Sequence, residues 1–400
     1  MGDVIVRPAR WGDRRAITEL IAAMGSHEDV LESPDPLLEL GALISRPSSR
    51  ALVAELDGRV VGYAELQSRP SSLHDGVEGW LGALVVDATQ RRSGVGASLM
   101  EAIEREAVLL GCDEIVVESS SWRNSSHAFY RKIGFSQGSR ADRFRRKQVS
   151  TSSDESKFLA LAARAANRVA AVLAPWVGVA TANKEADVDA EAVAVKVLSQ
   201  MRLPVLAEEG GWSQPPREGL RWVCLDAVDG SRNLRAGLPP WAFSVALVED
   251  GRSVAGFVCN LASGRRWWAV RGGGSWVDGR PANARRGGLV GIGSRPDSIA
   301  ELPSWTERIR VLGATTVELC CVADGSFAGF VGLGAITIHV QDVAAASVIL
   351  EEAGACLIDD GQSPVRIDQD REARLQVVAA ADIELARDLL GVGIQAASPV

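Results

Sequence analysis

The chain has 400 residues, of which 46% are hydrophobic and 24% charged, with a formal net charge of −8. This length predicts two or three domains, the composition is that of a soluble globular protein, and the acidic balance argues against nucleic acid as the main partner. There is no uninterrupted 18-residue apolar run and no signal-peptide pattern, so we expect a cytoplasmic protein without a membrane partner.

Strand and helix patterns alternate along the first third of the chain. Residues 26–48 mix helix and loop signals, and Asp57-Gly58 between two apolar runs predicts a tight hairpin turn. In chain order the spacing predicts a strand at 3–8, a helix at 12–24, hairpin strands at 51–56 and 59–66, a strand at 78–87, a helix at 95–110, a strand at 114–118 and a helix at 122–132.

A change of composition at residues 140–156, first basic and then serine-rich, predicts a linker. Beyond it the patterns predict helices at 156–173, 186–201 and 340–354, with strands and glycine-rich turns at 220–280. We therefore expect two domains, at 1–147 and 156–400, joined by a linker at 148–155.

The first segment with a chemical signature follows the strand at 78–87. Arg91-Arg92-Ser93-Gly94-Val95-Gly96 stands between this strand and the next helix, so several backbone N–H groups would meet at a helix N-terminus. Such a turn binds phosphate anions, and its glycines allow close approach to the backbone. An ordinary glycine turn would show the same pattern.

Residues 123–135 read Arg-Asn-Ser-Ser-His-Ala-Phe-Tyr-Arg-Lys-Ile-Gly-Phe. Together with the strand order and the R-x-x-G-x-G turn, this segment resembles the GNAT family of acetyl-CoA-dependent N-acetyltransferases over residues 3–147. The resemblance implies an α/β domain with a mixed, splayed sheet. It also implies acetyl-CoA as cofactor and a small-molecule amine as substrate.

The same resemblance implies roles for single residues. Tyr130 matches the tyrosine that often protonates the departing CoA thiolate, although a packed helix aromatic would look the same. Glu65 and Glu78 are candidate acceptor bases on or beside strands. The backbone of Val86 would contact the thioester arm. The pyrophosphate would be held by Arg91, Arg92, Ser93, Gly94, Val95 and Gly96.

Carboxylates gather in three short segments of the second half. Asp226 and Asp229 stand in an Asp-Ala-Val-Asp-Gly-Ser turn, Glu208 and Glu209 follow an apolar run, and Asp342 begins a helix. Hard divalent cations take oxygen ligands, and phosphate hydrolysis benefits from two such ions. Each segment also has a structural interpretation: a tight turn, a solvated pair and an N-cap.

The order of these segments, with glycine-rich stretches at 268–281 and 313–325, resembles the inositol monophosphatase family over about 155–395. The resemblance implies a layered αβαβα domain of the α+β type, Mg²⁺, a phosphomonoester substrate and a homodimer. The implied metal ligands are Glu208, Asp226, the Val228 carbonyl, Asp229, Asp342 and, at a third and weaker site, Asp187.

The resemblance further implies that a water near Glu208 and Ser231 attacks phosphorus in line. The backbone N–H groups of Gly230 and Ser231 would bind phosphate oxygens.

The chain departs from the usual pattern of this family at several positions. The family usually has proline at Ala227, threonine at Ser231 and Lys184, and tryptophan at Gln341. Ser231 keeps a hydroxyl, whereas Lys184 puts a cation beside the third metal site. Ala335 falls near a glutamate that inositol-type members use, which argues against plain inositol phosphate as substrate.

The sequence thus favours a bifunctional enzyme that N-acetylates a small amine and hydrolyses a phosphomonoester. An amino-sugar, aminocyclitol or nucleoside phosphate would satisfy both reactions and would suit antibiotic biosynthesis or self-resistance. Alternatively, only the acetyltransferase is active and the second domain binds a ligand or dimerises the protein. In a third interpretation, the GNAT domain is a CoA-binding regulatory module.

Overall fold

The computed structural model describes most of the chain in two compact units, Met1–Ser150 and Thr151–Val400. The predictions for residues 26–40 and for Ala335 lie outside the described residues. The described residues are 4–23, 41, 43–44, 46–71, 76–120, 123–138, 143–147, 153–180, 184–216, 219, 221–293, 308–333 and 338–397.

The first unit is a seven-stranded sheet with the order β1-β2-β3-β4-β5-β7-β6. Its strands are β1 (Ile5–Pro8), β2 (Ser49–Leu56), β3 (Arg59–Pro70), β4 (Val77–Val86), β5 (Glu114–Glu118), β6 (Ser136–Gln137) and β7 (Arg143–Lys147). Its helices are α1 (Arg14–Ala22), α2 (Val95–Leu109) and α3 (Asn124–Lys132).

The hairpin between β2 and β3 forms where the sequence predicts it. Asp57 and Gly58 both have positive φ, at 50° and 76°. Two such residues make the turn that suits the twist of paired strands, which is why Asp-Gly stands here. Helix α2 packs Leu99 and Ile103, both fully buried, onto the sheet.

Strands β4 and β5 are parallel but pair only at one end. Glu78–Leu81 of β4 pairs with Glu114–Val117 of β5. Beyond a bulge at Gly82, β4 continues to Val86 beside β3, with no further β5 pairing among the described residues. The sheet therefore splays at the end of β4, as the GNAT resemblance implies, and exposes strand backbone on that side.

The second unit contains three sheets. An eight-stranded sheet has the order β15-β14-β13-β12-β11-β10-β8-β9, a five-stranded sheet the order β17-β16-β18-β22-β20, and β19 pairs with β21. The strands of the large sheet are β8 (Val205–Ala207), β9 (Gly211–Trp212), β10 (Trp222–Asp229), β11 (Ala242–Glu249), β12 (Arg252–Asn260), β13 (Arg266–Val270), β14 (Ser275–Val277) and β15 (Arg280–Pro281).

The remaining elements complete the second unit. Its other strands are β16 (Leu289–Ile292), β17 (Arg308–Arg310), β18 (Gly329–Gly332), β19 (Ile338–His339), β20 (Cys356–Asp359), β21 (Arg374–Leu375) and β22 (Val377–Ala380). Its helices are α4 (Asp154–Leu173), α5 (Lys184–Leu198), α6 (Ser231–Ala236), α7 (Thr315–Ala323), α8 (Val340–Glu352) and α9 (Ile383–Ala397).

These elements stack in five layers, as the αβαβα expectation requires. Helices α4 and α5 pack on one face of the large sheet, and α7 and α8 lie between that sheet and the five-stranded sheet. Helix α9 covers the far face of the five-stranded sheet. Strand β11 is buried on both faces. Alternate residues of a strand face opposite sides, so Phe243 and Ala242 point in opposite directions, and both are buried.

Helix α4 begins at Asp154 with Ser153 as its N-cap, inside the segment 148–155 that the sequence predicts as linker. By length and composition alone, Asp154–Trp176 is long and apolar enough to cross a membrane, although it contains no uninterrupted 18-residue apolar run. Half of the 18 residues in its most apolar stretch are buried inside the unit, where α4 contacts α5, β11 and β12. The core helix of a soluble protein has the same character.

Candidate active sites

The turn between β4 and α2 is organised by its own hydrogen bonds. The Asp87 carboxylate accepts the Thr89 N–H at 2.8 Å, and the Ser93 hydroxyl donates to the Gln90 carbonyl at 2.6 Å. Gly94 is the N-cap of α2 with φ 94°, a conformation that glycine adopts without strain. Because the first hydrogen bonds of α2 run from Ala97 and Ser98 to the Gly94 carbonyl, the N–H groups of Val95 and Gly96 precede the helical ladder and can meet an anion.

The arginines beside this turn are exposed. Nε of Arg91 lies 3.5 Å from the carbonyl oxygen of Val86, and Arg92 has a positive φ of 67°. The turn thus combines two cations, helix N–H groups and the end of β4 that, among the described residues, pairs with β3 but not with β5. That combination fits a long ligand with a pyrophosphate, although the site roles carried over from the GNAT resemblance remain predictions.

Tyr130 is buried in the core of the first unit, with 6% of its surface exposed. Its ring centre lies 5.6 Å from that of Phe135 and 5.7 Å from that of Phe144. Burial raises the pKa of Tyr130 to about 12, so the phenol keeps its proton at neutral pH. Tyr130 is therefore a packed aromatic whose phenol is neutral, and its role as the proton donor stays a prediction.

The two candidate acceptor bases differ in environment. Glu78 is 2% exposed and accepts hydrogen bonds from Arg69 at 2.7 Å and Arg143 at 3.0 Å. This double ion pair gives Glu78 a structural role. Glu65 accepts hydrogen bonds from Gln67 and Tyr63 beside the β4 bulge, which makes it the better placed of the two.

In the second unit, strand β10 carries two aspartates into the site. Its register against β11 shifts between Asp226 and Asp229, and this irregularity lets both side chains reach one side. Gly230 follows with φ 84°, and a Cβ at this position would lie 3.0 Å from the Pro240 carbonyl oxygen. Only glycine fits this turn without displacement.

Asp342 meets the two aspartates of β10 from the start of α8. Carboxylate oxygens of Asp226, Asp229 and Asp342 all lie within 4.8 Å of one another. The His339 N–H also donates to Asp342 at 2.8 Å, so Asp342 is the N3 residue of a capping box as well as a member of the cluster. The N-cap of α8 is His339, so the N-cap interpretation of Asp342 was wrong, although its carboxylate does bond the N-cap N–H.

The donor atoms of this cluster fit a divalent cation. Oδ2 of Asp226 is buried, and no residue in the described ranges donates a hydrogen bond to it. Its Oδ1 accepts the Val228 N–H at 2.8 Å. A buried carboxylate oxygen without a donor is costly unless it is protonated or binds a cation, and the oxygen donors here suit Mg²⁺.

The electrostatics agree with that interpretation. Burial, followed by repulsion from neighbouring carboxylates, raises the pKa of Glu208 to about 7 and holds the pKa of Asp226 and Asp342 well above the usual range. Burial also raises the pKa of Asp229 to about 6, against hydrogen bonds from Thr316. Without a counter-ion, the cluster strongly resists carrying its full negative charge.

Two residues outside the predicted set hold the ligands in place. Glu191 on α5 accepts the N–H groups of Glu209 and Gly210, both at 2.7 Å, and so fixes the turn that carries Glu208. The Thr316 N–H donates to Asp229 at 2.7 Å, and its hydroxyl donates to the Asp342 carbonyl at 3.0 Å. The sequence offered no local signal for either contact.

Asp187, predicted at a third metal site, is paired with a cation of the chain itself. Arg235 Nη2 donates to Asp187 at 3.0 Å and to the Ser231 hydroxyl at 3.3 Å. Lys184 begins α5, but its side chain lies outside the described part of the chain. Sequence reasoning missed Arg235, because its partner lies 48 positions earlier in the chain.

The departures at 227 and 341 are both buried. Ala227 is 4% exposed beside the site. Gln341 is 1% exposed, and neither atom of its amide has a hydrogen-bond partner within the described ranges. The site itself is a cavity of about 200 Å³ lined by Asp187, Glu191, Glu208, Glu209, Asp226, Ala227, Val228, Asp229, Gly230, Ser231, His339 and Asp342.

Two protein-family models match the chain. The model described as "Inositol monophosphatase family" matches residues 159–390, and the one described as "Acetyltransferase (GNAT) family" matches residues 15–135. The six cysteines are free.

Curated relatives match the second unit. A fructose-1,6-bisphosphatase/inositol-1-monophosphatase of Archaeoglobus fulgidus is 32% identical over 208 residues, which are 50% of this chain and 79% of that protein. A similarly named protein of Methanothermobacter thermautotrophicus is 29% identical over 56% of this chain and 92% of that protein. A histidinol-phosphatase of Mycobacterium tuberculosis is 36% identical over 38% of this chain and 64% of that protein.

Solved structures show the same fold. An inositol monophosphatase from Anabaena superposes with a TM-score of 0.52 at 22% identity, over 62% of this chain and 99% of that one. A structure described as an inositol monophosphatase-fructose 1,6-bisphosphatase superposes with a TM-score of 0.53 at 21% identity, over 58% of this chain and 98% of that one.

Proposed function

Because this chain belongs to the inositol monophosphatase family and carries a GNAT acetyltransferase domain, two families of enzymes, we propose that it is a bifunctional enzyme. The first domain transfers an acetyl group from acetyl-CoA to a small amine. The second hydrolyses a phosphomonoester with Mg²⁺. We further propose that it acts in the cytoplasm as a homodimer, away from nucleic acid and membranes.

The convergence of Asp226, Asp229 and Asp342 carries the proposal for the second domain. These residues, with Glu208 and the Val228 carbonyl, would hold the ions. Bound there, Mg²⁺ would polarise the phosphate and neutralise charge on the leaving oxygen. Glu208 is the carboxylate placed to accept a proton from the attacking water.

Two groups of the turn after β10 would meet the phosphate. The Gly230 N–H also faces the Asp229 carboxylate, so we give Ser231 the larger part in binding a phosphate oxygen. Its hydroxyl replaces that of the usual threonine. The first domain would use the splayed end of β4 for the thioester arm and Tyr130 as the acid for the thiolate.

The cavity lining favours a substrate that carries an amine beside its phosphate. Glu209 and Glu191 stand in the lining near the predicted metal ligands, so an ammonium group would gain from the acidic wall. An amino-sugar, aminocyclitol or nucleoside phosphate fits this requirement and offers an amine for acetylation. The relative named histidinol-phosphatase adds an amino alcohol phosphate to the same class.

Phosphate release by the purified chain tests the proposal. We expect turnover of at least one member of a panel of sugar, aminocyclitol, nucleotide and amino alcohol phosphates, and its loss in EDTA. Asp226→Asn should abolish it, whereas Asp250→Asn, in an exposed turn, should not. Acetyl transfer should persist in both variants, because the change lies outside the first unit.

The alternative is a second domain that binds or dimerises without catalysis. Two departures favour it: the Gln341 amide, which has no hydrogen-bond partner among the described residues, and Ala227, where the family usually has proline. It predicts no phosphate release on the whole panel, or release that is the same in wild type and Asp226→Asn. Either result would contradict the phosphatase proposal.

A further inference from the structure

The short helix α6 places an arginine against the phosphatase site. Arg235 lies one turn after Ser231, and its Nη2 reaches both the Ser231 hydroxyl and the Asp187 carboxylate. The side chain of Asp187 is 12% exposed and that of Arg235 31% exposed, so the pair is largely shielded from water. Asp187 comes from α5 and Arg235 from α6, so the contact links two elements of the cavity wall.

Arg235 brings a guanidinium cation to this contact. A cation bonded to Oδ2 of Asp187 offsets the charge of that carboxylate and competes with a divalent ion for this oxygen. Asp187 is also the acid that the inositol monophosphatase resemblance puts at a third, weaker metal site. The arginine therefore supplies, from within the chain, the positive charge that such an ion would bring.

We propose that Arg235 takes the place of the third metal ion, so that the phosphatase site binds two divalent ions and Asp187 ligates neither. This inference rests on the proposed phosphatase function. Arg235 is in addition a positioning residue for Ser231. Because its Nη2 donates to the Ser231 oxygen, the hydroxyl keeps its own proton to donate to a phosphate oxygen.

Counting bound ions on the full chain tests the proposal without a substrate. We would titrate the metal-free protein with Mn²⁺ and follow the free ion by electron paramagnetic resonance. We expect two ions per chain in wild type and in Arg235→Lys, which keeps the charge. Arg235→Ala and Arg235→Gln should bind a third ion, and adding Asp187→Asn to either should remove it.

Arg232→Ala is the matched control, because Arg232 is an exposed arginine of the same helix and should leave two ions bound. Melting curves of every variant show that the second domain is folded. Three ions in wild type, or no gain in both neutral variants of Arg235, would overturn the proposal.

The same titration separates this inference from the proposed function. Suppose that wild type binds two ions, Arg235→Ala binds three, and no panel member releases phosphate. That result would support the proposal that Arg235 replaces the third ion and would contradict the proposed phosphatase activity. Three ions in wild type together with Mg²⁺-dependent phosphate release would contradict the role of Arg235 and support the phosphatase proposal.

Discussion

The Glu191 carboxylate accepts the backbone N–H of Gly210, with Oε1 2.7 Å from the nitrogen. A Cβ on residue 210 would lie 2.7 Å from the same oxygen, so the contact also requires glycine at that position. The second oxygen of Glu191 accepts the Glu209 N–H. A single buried side chain on α5 therefore sets the conformation of the turn that presents Glu208.

Replacing Glu191 by glutamine should weaken Mg²⁺ binding about 10–100-fold, the usual effect of losing a group that orients a metal ligand. A glutamine offers one acceptor oxygen where the turn has two N–H groups, so the turn would lose one bond and Glu208 its fixed position. Calorimetric titration of the metal-free chain measures the affinity. Glu185→Gln, an exposed residue of the same helix, is the control. Unchanged affinity in Glu191→Gln would contradict the role of Glu191.

The metal-free second domain should become less stable as the pH rises from about 5.5 to 8. The pKa of Glu208 is raised to about 7 and that of Asp229 to about 6, both above the ordinary values of 4.5 and 3.8. The folded state therefore holds more protons than the unfolded state in this range. The contribution of these groups to the free energy of unfolding is greatest below their ordinary pKa values, and it is lost as the pH rises through their raised pKa values.

Differential scanning calorimetry in EDTA and in Mg²⁺ measures this effect. The transition of the second domain should fall with rising pH in EDTA, and Mg²⁺ should raise it more at pH 8 than at pH 5.5, because ions and protons compete for the same oxygens. His339, whose pKa burial lowers, acts in the opposite sense. Asp226→Asn should reduce the slope in EDTA. A flat transition in wild type would contradict the prediction.

The three aspartates that the structure brings together could be picked out of the sequence because each lies in a short local pattern, whereas their role as metal ligands stays a prediction. Asp226 and Asp229 lie in one turn, and Asp342 lies in the first turn of a helix. The contact of Arg235 with Asp187 joins two helices 48 residues apart, and no short-range pattern encodes it. Thr316 was missed for the same reason, because its N–H reaches Asp229 and its hydroxyl reaches Asp342, both far from it along the chain.

The limits of the elements were predicted less accurately than their order. The helix predicted at 186–201 runs from Lys184 to Leu198, because the chain then tightens into a 3-10 turn ending at Met201. Helix α6 was not predicted, since its six residues give too short a period to detect. The expectation of a five-layer domain and that of a splayed sheet both came from the family resemblances, not from the periodicity of the sequence alone.

Tyr130→Phe should lower the rate of acetyl transfer about 100-fold or more if the phenol donates a proton to the thiolate. The melting temperature should change little, since phenylalanine keeps the ring contacts with Phe135 and Phe144. The release of free CoA thiol from acetyl-CoA measures the rate. Glu101→Gln, which changes an exposed residue of α2, is the control and should stay near the wild-type rate. An unchanged rate in Tyr130→Phe would leave Tyr130 a core aromatic only.

Gly96→Ala separates the needs of the fold from the needs of the ligand. Gly96 lies in the first turn of α2, and an added Cβ would sit 3.6 Å from Phe129 and Val86, an ordinary contact. Alanine is the better helix former by about 1 kcal/mol, so the apo domain should keep or gain stability. Acetyl-CoA should nevertheless bind about tenfold more weakly, because the methyl group would occupy the surface that the pyrophosphate approaches.

Two further glycine substitutions complete this experiment, with affinity measured by calorimetry and stability by thermal unfolding. Gly94→Ala should lower the melting temperature of the first domain, because an L side chain is strained at φ 94°. Gly391→Ala, in an open position of helix α9, should leave acetyl-CoA binding unchanged. If Gly96→Ala binds acetyl-CoA as tightly as wild type does, the pyrophosphate does not reach the start of α2, and the proposed cofactor site is wrong.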